Sequence, residues 1–173
     1  HGDLEQKDRD QVLVRFANRS CSVLIATDVA ARGIDIKGLD AVINVELAHD
    51  SEVHVHRIGR TGRAGETGLA LSLVAPNELG RLNRLEDYLQ HPIALEAVPQ
   101  NDGVMDIMPE MVTLCIDGGK KEKVRAGDII GALTKEAGLA FEKIGKIDIN
   151  DFSTYVAVHQ SIAKQALQHL QDG

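Results

Sequence analysis

Ala41-Val42-Ile43-Asn44-Val45 is a short run dominated by apolar residues. Runs of this kind are typical of strands that are buried on both faces of a parallel sheet. Two other runs share the pattern, Val23-Leu24-Ile25-Ala26 within 22–27 and Leu69-Ala70-Leu71-Ser72-Leu73-Val74. Helical patterns lie before, between and after these runs. The alternation predicts an α/β layer with a parallel sheet.

Three segments carry the helical patterns. Apolar residues recur on one side of 5–17, which predicts an amphipathic helix. Ser51 is placed to cap a short helix that runs into an arginine-rich segment. A third helix is predicted over 77–90, and its buried stripe would consist of Leu79, Leu82, Leu85 and Leu89.

The alternation ends after Gln90. Residues 91–110 contain three prolines and lack periodicity, so we predict a linker. Beyond it the patterns predict strand 111–116, basic loop 117–125, helix 127–137, strands 144–149 and 154–158, and helix 161–171. This β-α-β-β-α order lacks one strand of a ferredoxin-like βαββαβ sandwich. We therefore expect a C-terminally truncated module over 111–173.

The composition limits the function only weakly. The chain has 173 residues and a formal net charge of −7, which by itself argues against nucleic acid as a partner. From Met111 onward, however, eight basic residues balance eight acidic ones, so the excess charge lies in 1–110. Cys21 and Cys115 lie in apolar runs, which predicts buried reduced thiols and a cytoplasmic location. No segment predicts membrane contact.

The segment His56-Arg57-Ile58-Gly59-Arg60-Thr61-Gly62-Arg63 is the richest in chemistry. Helical spacing would place His56, Arg60 and Arg63 near one face. The two glycines would let a ligand or another backbone approach closely. A guanidinium cluster of this kind suits the charge of a phosphoryl group in transfer. The alternative is a solvated basic helix end.

A second polar segment follows the apolar run 23–26. Thr27 and Asp28 would lie at the carboxyl end of that predicted strand, with Arg32 and Asp35 on the loop beyond it. In open α/β sheets this edge holds the ligand. The alternative is a capped turn in which Asp28 satisfies a helix N-terminus.

The two segments together resemble a known family. Ala26-Thr27-Asp28-Val29-Ala30-Ala31-Arg32-Gly33-Ile34-Asp35 resembles motif V of DEAD-box RNA helicases, and 56–63 match their motif VI. Gln6-Lys7-Asp8-Arg9 fits their Q-x-x-R element, and His1-Gly2-Asp3 is similar to the segment before it. Residues 1–90 thus resemble an N-terminally truncated second RecA-like domain, which has a P-loop NTPase-like fold.

The resemblance implies a role for each matching position. Arg60 and Arg63 would contact the ATP γ-phosphate as arginine fingers, and His56 would couple the nucleotide and RNA sites. Gly33 and Asp35 would lie at the ribose, so that the implied ATP-binding set is Gly33, Asp35, Arg60 and Arg63. The residues implied at the RNA backbone are Gln6, Arg9, Thr27 and Arg57, with Gln6 supporting Arg9.

Neither a G-x-x-x-x-G-K-[ST] phosphate loop nor an Asp-Glu-Ala-Asp segment occurs in the sequence. ATP and Mg²⁺ would therefore be bound mainly by a first RecA-like domain, which would be a partner of this chain within the same protein. We expect the chain alone to be inactive as an ATPase.

The second module resembles an RNA recognition motif (RRM) without the usual RNP1 pattern. Four of the last six residues of loop 117–125 are basic, and among the strand residues only Tyr155 is aromatic, with Phe152 just before it. The whole chain is similar to the DbpA type of bacterial DEAD-box helicase. The resemblance implies recognition of a large-subunit ribosomal RNA hairpin by Lys120, Lys121, Lys123, Arg125 and Tyr155. The alternatives are a solvated lysine-rich turn and a tyrosine at the rim of the core.

These inferences predict the C-terminal part of an ATP-dependent RNA helicase. It would bind large-subunit ribosomal RNA in pre-ribosomal particles and remodel short duplexes during ribosome assembly. One alternative is a non-enzymatic RNA-binding module for ribosome assembly, and another is a related helicase that acts on other RNA or on DNA. His54 and His56 lack supporting ligands nearby in the sequence, so no metal site is predicted.

Overall fold

A computed structural model of the chain describes residues 3–28, 39–62, 67–100, 103 and 107–172. In chain order its main elements are α1 (Gln6–Ala17), β1 (Ala41–Asn44), α2 (Ser51–Ile58), β2 (Leu69–Ser72), α3 (Leu79–Leu89), β3 (Met111–Ile116), α4 (Ala126–Gly131), β4 (Ile144–Ile149), β5 (Thr154–His159) and α5 (Gln160–Asp172). No helix in the described ranges is long and apolar enough to cross a membrane.

The chain divides into two units. One contains residues 1–2 and 26–104, and the other contains 3–25 and 105–173. Helix α1 therefore groups with the C-terminal module. The predicted domain limits, 1–90 and 111–173 with a linker between them, stay predictions.

The first unit contains the predicted parallel sheet. β1 and β2 pair in parallel, with Ala41 opposite Leu69 and Asn44 opposite Ser72. The strands are joined through α2, as expected for parallel neighbours, which need a crossover connection. A small core forms where Leu47 packs with two leucines of α3, Leu82 and Leu85. The α/β class predicted for this part of the chain is confirmed.

The strand predicted over 22–27 is wrong. This segment is irregular, and the side chains of Val23 and Ile25 are 56% and 91% exposed. A strand needs a neighbour to accept and donate its backbone hydrogen bonds. In the part of the chain that the structure describes, the parallel sheet contains β1 and β2 only. Apolar composition without a pairing partner does not make a strand.

Two helix details also differ from the predictions. Asp50, and not Ser51, caps α2, because its carboxylate accepts a hydrogen bond from the backbone N–H of Glu52 at 2.9 Å. Ser51 already lies inside the helix. On α3, Leu82 and Leu85 are buried as predicted, whereas Leu79 is 48% exposed in the first turn of the helix.

The second unit contains an antiparallel sheet in the order β3-β5-β4. Met111 lies opposite His159 and Ile116 opposite Thr154, while Ile149 lies on the other side of Thr154. β5 is thus the central strand. The predicted β-α-β-β-α order is confirmed over 111–172, although α4 continues through Ala132–Glu136 as a wider π turn.

One face of this sheet forms the core with the helices. Its largest fully buried side chains include Leu133 from the π turn and Val156 and Val158 from β5. Ile162 and Ala166 of α5 pack against them. Because side chains alternate along a strand, the residues between these core positions point to the opposite face.

That opposite face meets the segment after α1. Asn18 Nδ2 donates to Thr113 Oγ1 at 3.3 Å, and the hydroxyls of Ser20 and Thr113 are 2.5 Å apart. Cys115 also lies on this face and is exposed, and Cys21 is half-buried. The predicted burial of Cys115 is therefore wrong, because its neighbour Leu114 occupies the core face. Both thiols are free.

Candidate nucleotide and RNA sites

Arg57 of the arginine-rich segment is held by several hydrogen bonds. Its Nε and Nη2 donate to the two carboxylate oxygens of Asp28 at 2.5 and 2.7 Å. This two-point geometry matches a guanidinium to a carboxylate. Asp28 thus binds Arg57. This ion pair accounts for one of the polar residues that follow the run 23–26, and it requires no bound ligand.

Arg57 also connects this pair to the sheet. Its Nη1 donates to the carbonyl oxygen of Glu46 at 2.9 Å and lies 3.5 Å from Asn44 Oδ1. Asn44, buried at the end of β1, donates in turn to Ser72 Oγ on β2 at 3.1 Å. Arg57 therefore contacts β1 through Asn44 and is linked to β2 by the hydrogen bond from Asn44 to Ser72. The implied RNA contact of Arg57 stays a prediction.

The charge of Arg57 is stabilised by this arrangement. The hydrogen bonds to Asp28 raise the pKa of Arg57 above its ordinary value, and the nearby negative charges of Asp28 and Glu46 act in the same direction. Partial burial opposes them. The guanidinium remains protonated at every physiological pH, so the anchor is permanent.

Arg60 lies in the turn that follows α2. The helix ends at Ile58 and Gly59 caps it, while the N–H of Arg60 donates to the carbonyl of Arg57 at 3.2 Å. The helix expected to carry both His56 and Arg60 ends between them, and their position on a common face stays a prediction. Gly62 has a φ of 63°, a conformation that disfavours any residue with a Cβ. Glycine at this position is therefore required by the turn.

Two histidines of α2 have different environments. His56 is exposed on the helix, where its implied coupling role stays a prediction. His54 is buried, and burial together with the charge of Arg57 lowers its pKa below 6.5. Arg57, which binds Asp28, thus also acts on His54 through its charge. Sequence reasoning considered His54 only as a metal ligand.

Several residues with implied contacts lie on other parts of the chain or outside the described residues. Gly33, Asp35 and Arg63 lie outside the described residues. Gln6 and Arg9 belong to the second unit, one turn apart on α1, and Gln6 Nε2 donates to Asp10 Oδ1 at 2.8 Å. Thr27 is exposed in the first unit. Their implied roles at the RNA backbone stay predictions.

The basic loop before α4 presents its four cations to solvent. Lys120, Lys121, Lys123 and Arg125 are all exposed. The loop is ordered by its own backbone, because Val124 N–H donates to the carbonyl of Gly119 at 2.9 Å. At its base, the hydroxyl of Thr154 on β5 donates to the carbonyl of Gly118 at 2.8 Å. The four cations therefore extend from a loop whose backbone is held in place by hydrogen bonds.

Tyr155 occupies a different environment from that loop. It lies on the central strand between Cys115 and Asp148 and is only 7% exposed. It lines a groove of about 640 Å³ on the sheet face opposite the core, together with Arg15 of α1 and Thr113. Its ring offers little surface to a base in this arrangement, and its stacking role stays a prediction.

Comparisons with known proteins match two domains along the chain. Residues 1–65 match the helicase conserved C-terminal domain, and residues 113–173 match the DbpA RNA binding domain. Over 173 residues the chain is 57% identical to the ATP-dependent RNA helicase DbpA of Escherichia coli, covering 100% of this chain and 38% of that protein. The chain belongs to the DbpA family of DEAD-box RNA helicases. The predicted family and fold class are confirmed.

Two further comparisons extend this result. The chain is 37% identical over 180 residues to the ATP-dependent RNA helicase DbpA of Bacillus subtilis, covering 91% of this chain and 38% of that protein. It is also similar to the crystal structure of the E. coli DEAD-box protein SrmB. The TM-score is 0.53 and the identity 35%, over 61% of this chain and 64% of that one. The chain thus spans 38% of the length of both DbpA relatives.

Proposed function

We propose that the protein to which this DbpA-family chain belongs is an ATP-dependent RNA helicase that binds large-subunit ribosomal RNA in the cytoplasm. It would remodel short RNA duplexes during ribosome assembly. The observation that carries the proposal is the similarity of both modules, along the whole chain, to a protein described as an ATP-dependent RNA helicase. The free thiols agree with a reducing compartment.

ATP with Mg²⁺ would be the cofactor, held mainly by a first RecA-like domain. The arrangement of the described residues fits a contribution from this chain to the phosphates. Arg57 is occupied by Asp28 and Glu46, so it positions the segment and leaves phosphate contact to Arg60 in the turn beyond. Arg63 would act with Arg60, and Gly33 and Asp35 would contact the ribose. Positive charge at these points stabilises the charge that develops on a transferring phosphoryl group.

The RNA would be held by the second unit through its basic loop. Lys120, Lys121, Lys123 and Arg125 are exposed on a loop that hydrogen bonds hold in place. Contacts to phosphates position RNA, so the loop would hold the RNA backbone in place. Binding of a ribosomal RNA hairpin by this unit would deliver the helicase core to neighbouring duplexes.

The arginine-finger role is tested by Arg60→Ala in the intact protein. We expect RNA-stimulated ATP hydrolysis to fall by about a thousandfold or more, since an arginine finger contributes on that order to turnover. Affinity for a ribosomal RNA hairpin should not change. Arg84→Ala, which removes an exposed arginine from α3, is the matched control. Unchanged turnover in the Arg60 variant would exclude the role and favour a non-enzymatic RNA-binding module.

The RNA-binding role is tested by Lys121→Ala with Lys123→Ala. Loss of two phosphate contacts should weaken binding of the hairpin and flatten its dependence on salt, by a slope of about 0.7 to 0.9 per lost contact. Lys135→Ala with Lys164→Ala removes the same charge from exposed positions on other elements. If both pairs of substitutions reduce affinity and slope equally, only net charge matters and the loop is not the binding site.

A further inference from the structure

Phe152 is an exposed aromatic residue to which neither family matching nor the basic-loop argument assigns a role. It lies at the tip of the β4–β5 hairpin, and its side chain is 67% exposed. The N–H of Asn150 donates to the carbonyl of Ser153 at 2.9 Å and closes the hairpin turn around it. Leaving a phenyl ring in water forgoes the favourable free energy of burying it. An ordered turn that presents such a ring is typical of a contact residue.

Backbone hydrogen bonds join this turn to the basic loop. The N–H of Lys120 donates to the carbonyl of Asn150 at 2.8 Å, and the N–H of Lys121 donates to the carbonyl of Asp151 at 3.0 Å. Gly119 packs so closely on the same turn that an added Cβ would overlap the Asn150 carbonyl. Phe152 follows Asp151 directly, so its Cα is only about 3.8 Å from that of a residue bonded to Lys121.

The charges around the turn favour an anionic partner. Of the acidic residues in the loop, Glu122 turns its carboxylate onto the N–H of Gly119 at 2.8 Å. Asp117 begins the loop and Asp151 lies in the turn, so the four cations are in excess. An apolar ring among exposed cations is the combination that binds single-stranded nucleic acid, because bases stack on the ring while cations hold the phosphates.

We propose that Phe152 is a base-stacking residue of the RNA-binding unit. An unpaired nucleotide would stack on its ring, while Lys120 and Lys121 contact the adjacent phosphates. The nucleotide must be unpaired, because both faces of a base inside a duplex are already covered by its neighbours. This inference rests on the proposed RNA binding by the second unit and adds the class of nucleotide that it recognises.

The chain offers a matched control. Phe141 is also exposed, at 59%, but it lies before β4 whereas Phe152 follows that strand. Six strand residues at about 3.3 Å each separate the two rings by roughly 20 Å. Phe141→Leu and Phe152→Leu therefore remove similar aromatic surface at the two ends of one strand. Leucine retains an apolar side chain and removes only the flat ring.

The experiment uses the 173-residue chain and two RNA probes, a hairpin with an unpaired loop and a blunt duplex of equal length. A 2-aminopurine in the loop reports stacking through its fluorescence. Stacking contributes about 1–3 kcal/mol per base, so Phe152→Leu should weaken hairpin binding roughly tenfold and abolish the fluorescence change. Its salt slope should equal that of the unsubstituted chain, because no charge is lost. Phe141→Leu should change neither quantity.

The outcomes separate this inference from the proposed function. If Lys121→Ala with Lys123→Ala weakens hairpin binding but Phe152→Leu does not, the stacking role is overturned and RNA binding stands. Equal losses on hairpin and duplex for Phe152→Leu would also overturn it. If neither the lysine pair nor Phe152→Leu affects binding of either probe, the second unit does not bind RNA through this surface and both proposals fail.

Discussion

The pair between Arg57 and Asp28 permits a quantitative prediction. A double-mutant cycle combines Arg57→Lys with Asp28→Asn and isolates the free energy of their interaction. Each of the two hydrogen bonds, at 2.5 and 2.7 Å, would contribute about 1.5–3 kcal/mol if shielded from water. The side chains are 23% and 41% exposed, so solvent screening reduces the sum. We expect a coupling free energy of about 1–2 kcal/mol.

Lysine is the informative replacement for Arg57 because it retains the charge. Its ammonium is a point charge and cannot contact both carboxylate oxygens in the planar two-point geometry of a guanidinium. The ammonium also lacks the widely spaced, fixed donors of a guanidinium, so it cannot bind Asp28 and the carbonyl of Glu46 at the same time. The single variant should therefore be destabilised although the net charge of the protein is unchanged.

Amide hydrogen exchange in α2 and β1 measures this coupling directly. Local opening free energies of these amides report the stability of the anchored segment, and about 1.4 kcal/mol corresponds to a tenfold faster exchange. Arg84→Lys, on the exposed side of α3, is the control and should leave exchange unchanged. A coupling below about 0.3 kcal/mol would refute the anchoring role of the pair.

Three further predictions concern stability. Because the pKa of His54 is lowered in the folded state, the unfolded chain binds its proton more readily, and the free energy of unfolding should fall below pH 6.5. In urea titrations at several pH values, the free energy of unfolding of His54→Gln should fall less steeply below pH 6.5. Equal pH dependence of the variant and the unsubstituted chain would contradict this. Leu133→Ala, at a fully buried site, should lower the free energy of unfolding by about 3 kcal/mol, whereas Leu167→Ala, at an exposed position of α5, should lower it by less than about 1 kcal/mol. Equal midpoints of the two variants in chemical denaturation would exclude this packing. Gly119→Ala should speed exchange of the loop amides, because its Cβ would overlap a carbonyl, whereas Gly127→Ala meets no neighbour and should be neutral or slightly stabilising. Equal exchange in both glycine variants would disprove the close contact.

The second unit shows how far sequence patterns reach. The order of strands and helices over 111–172 was predictable because each element carries its own periodicity over six or more residues. Basic composition likewise predicted an exposed loop before α4. The detail that β5 is central depends on pairing between segments that are far apart in the chain, and periodicity contains no information on such pairing.

The first unit shows the opposite case. The run 23–26 has the composition of a buried strand and yet forms none, whereas 41–44 and 69–72 pair. Exposed apolar side chains occur in all three segments, including Ile43 and Leu69, so the predicted burial of the two paired strands is wrong as well. The presence of a neighbouring backbone distinguishes the paired segments from 23–26. Strand formation is a property of two segments, so a single segment cannot predict it with certainty.

The sequence by itself determined the family of this protein, because the types and spacing of residues in 56–63 and in 117–125 are local and survive any packing. Only the tertiary structure decided which side chains those residues meet. Asp28 binds Arg57 across 29 positions of sequence. Tyr155 is buried while Phe152, three residues earlier, is exposed beside the lysines. The burial of a side chain and the identity of its hydrogen-bond partners depend on residues that are distant along the chain, and folding alone brings these residues together.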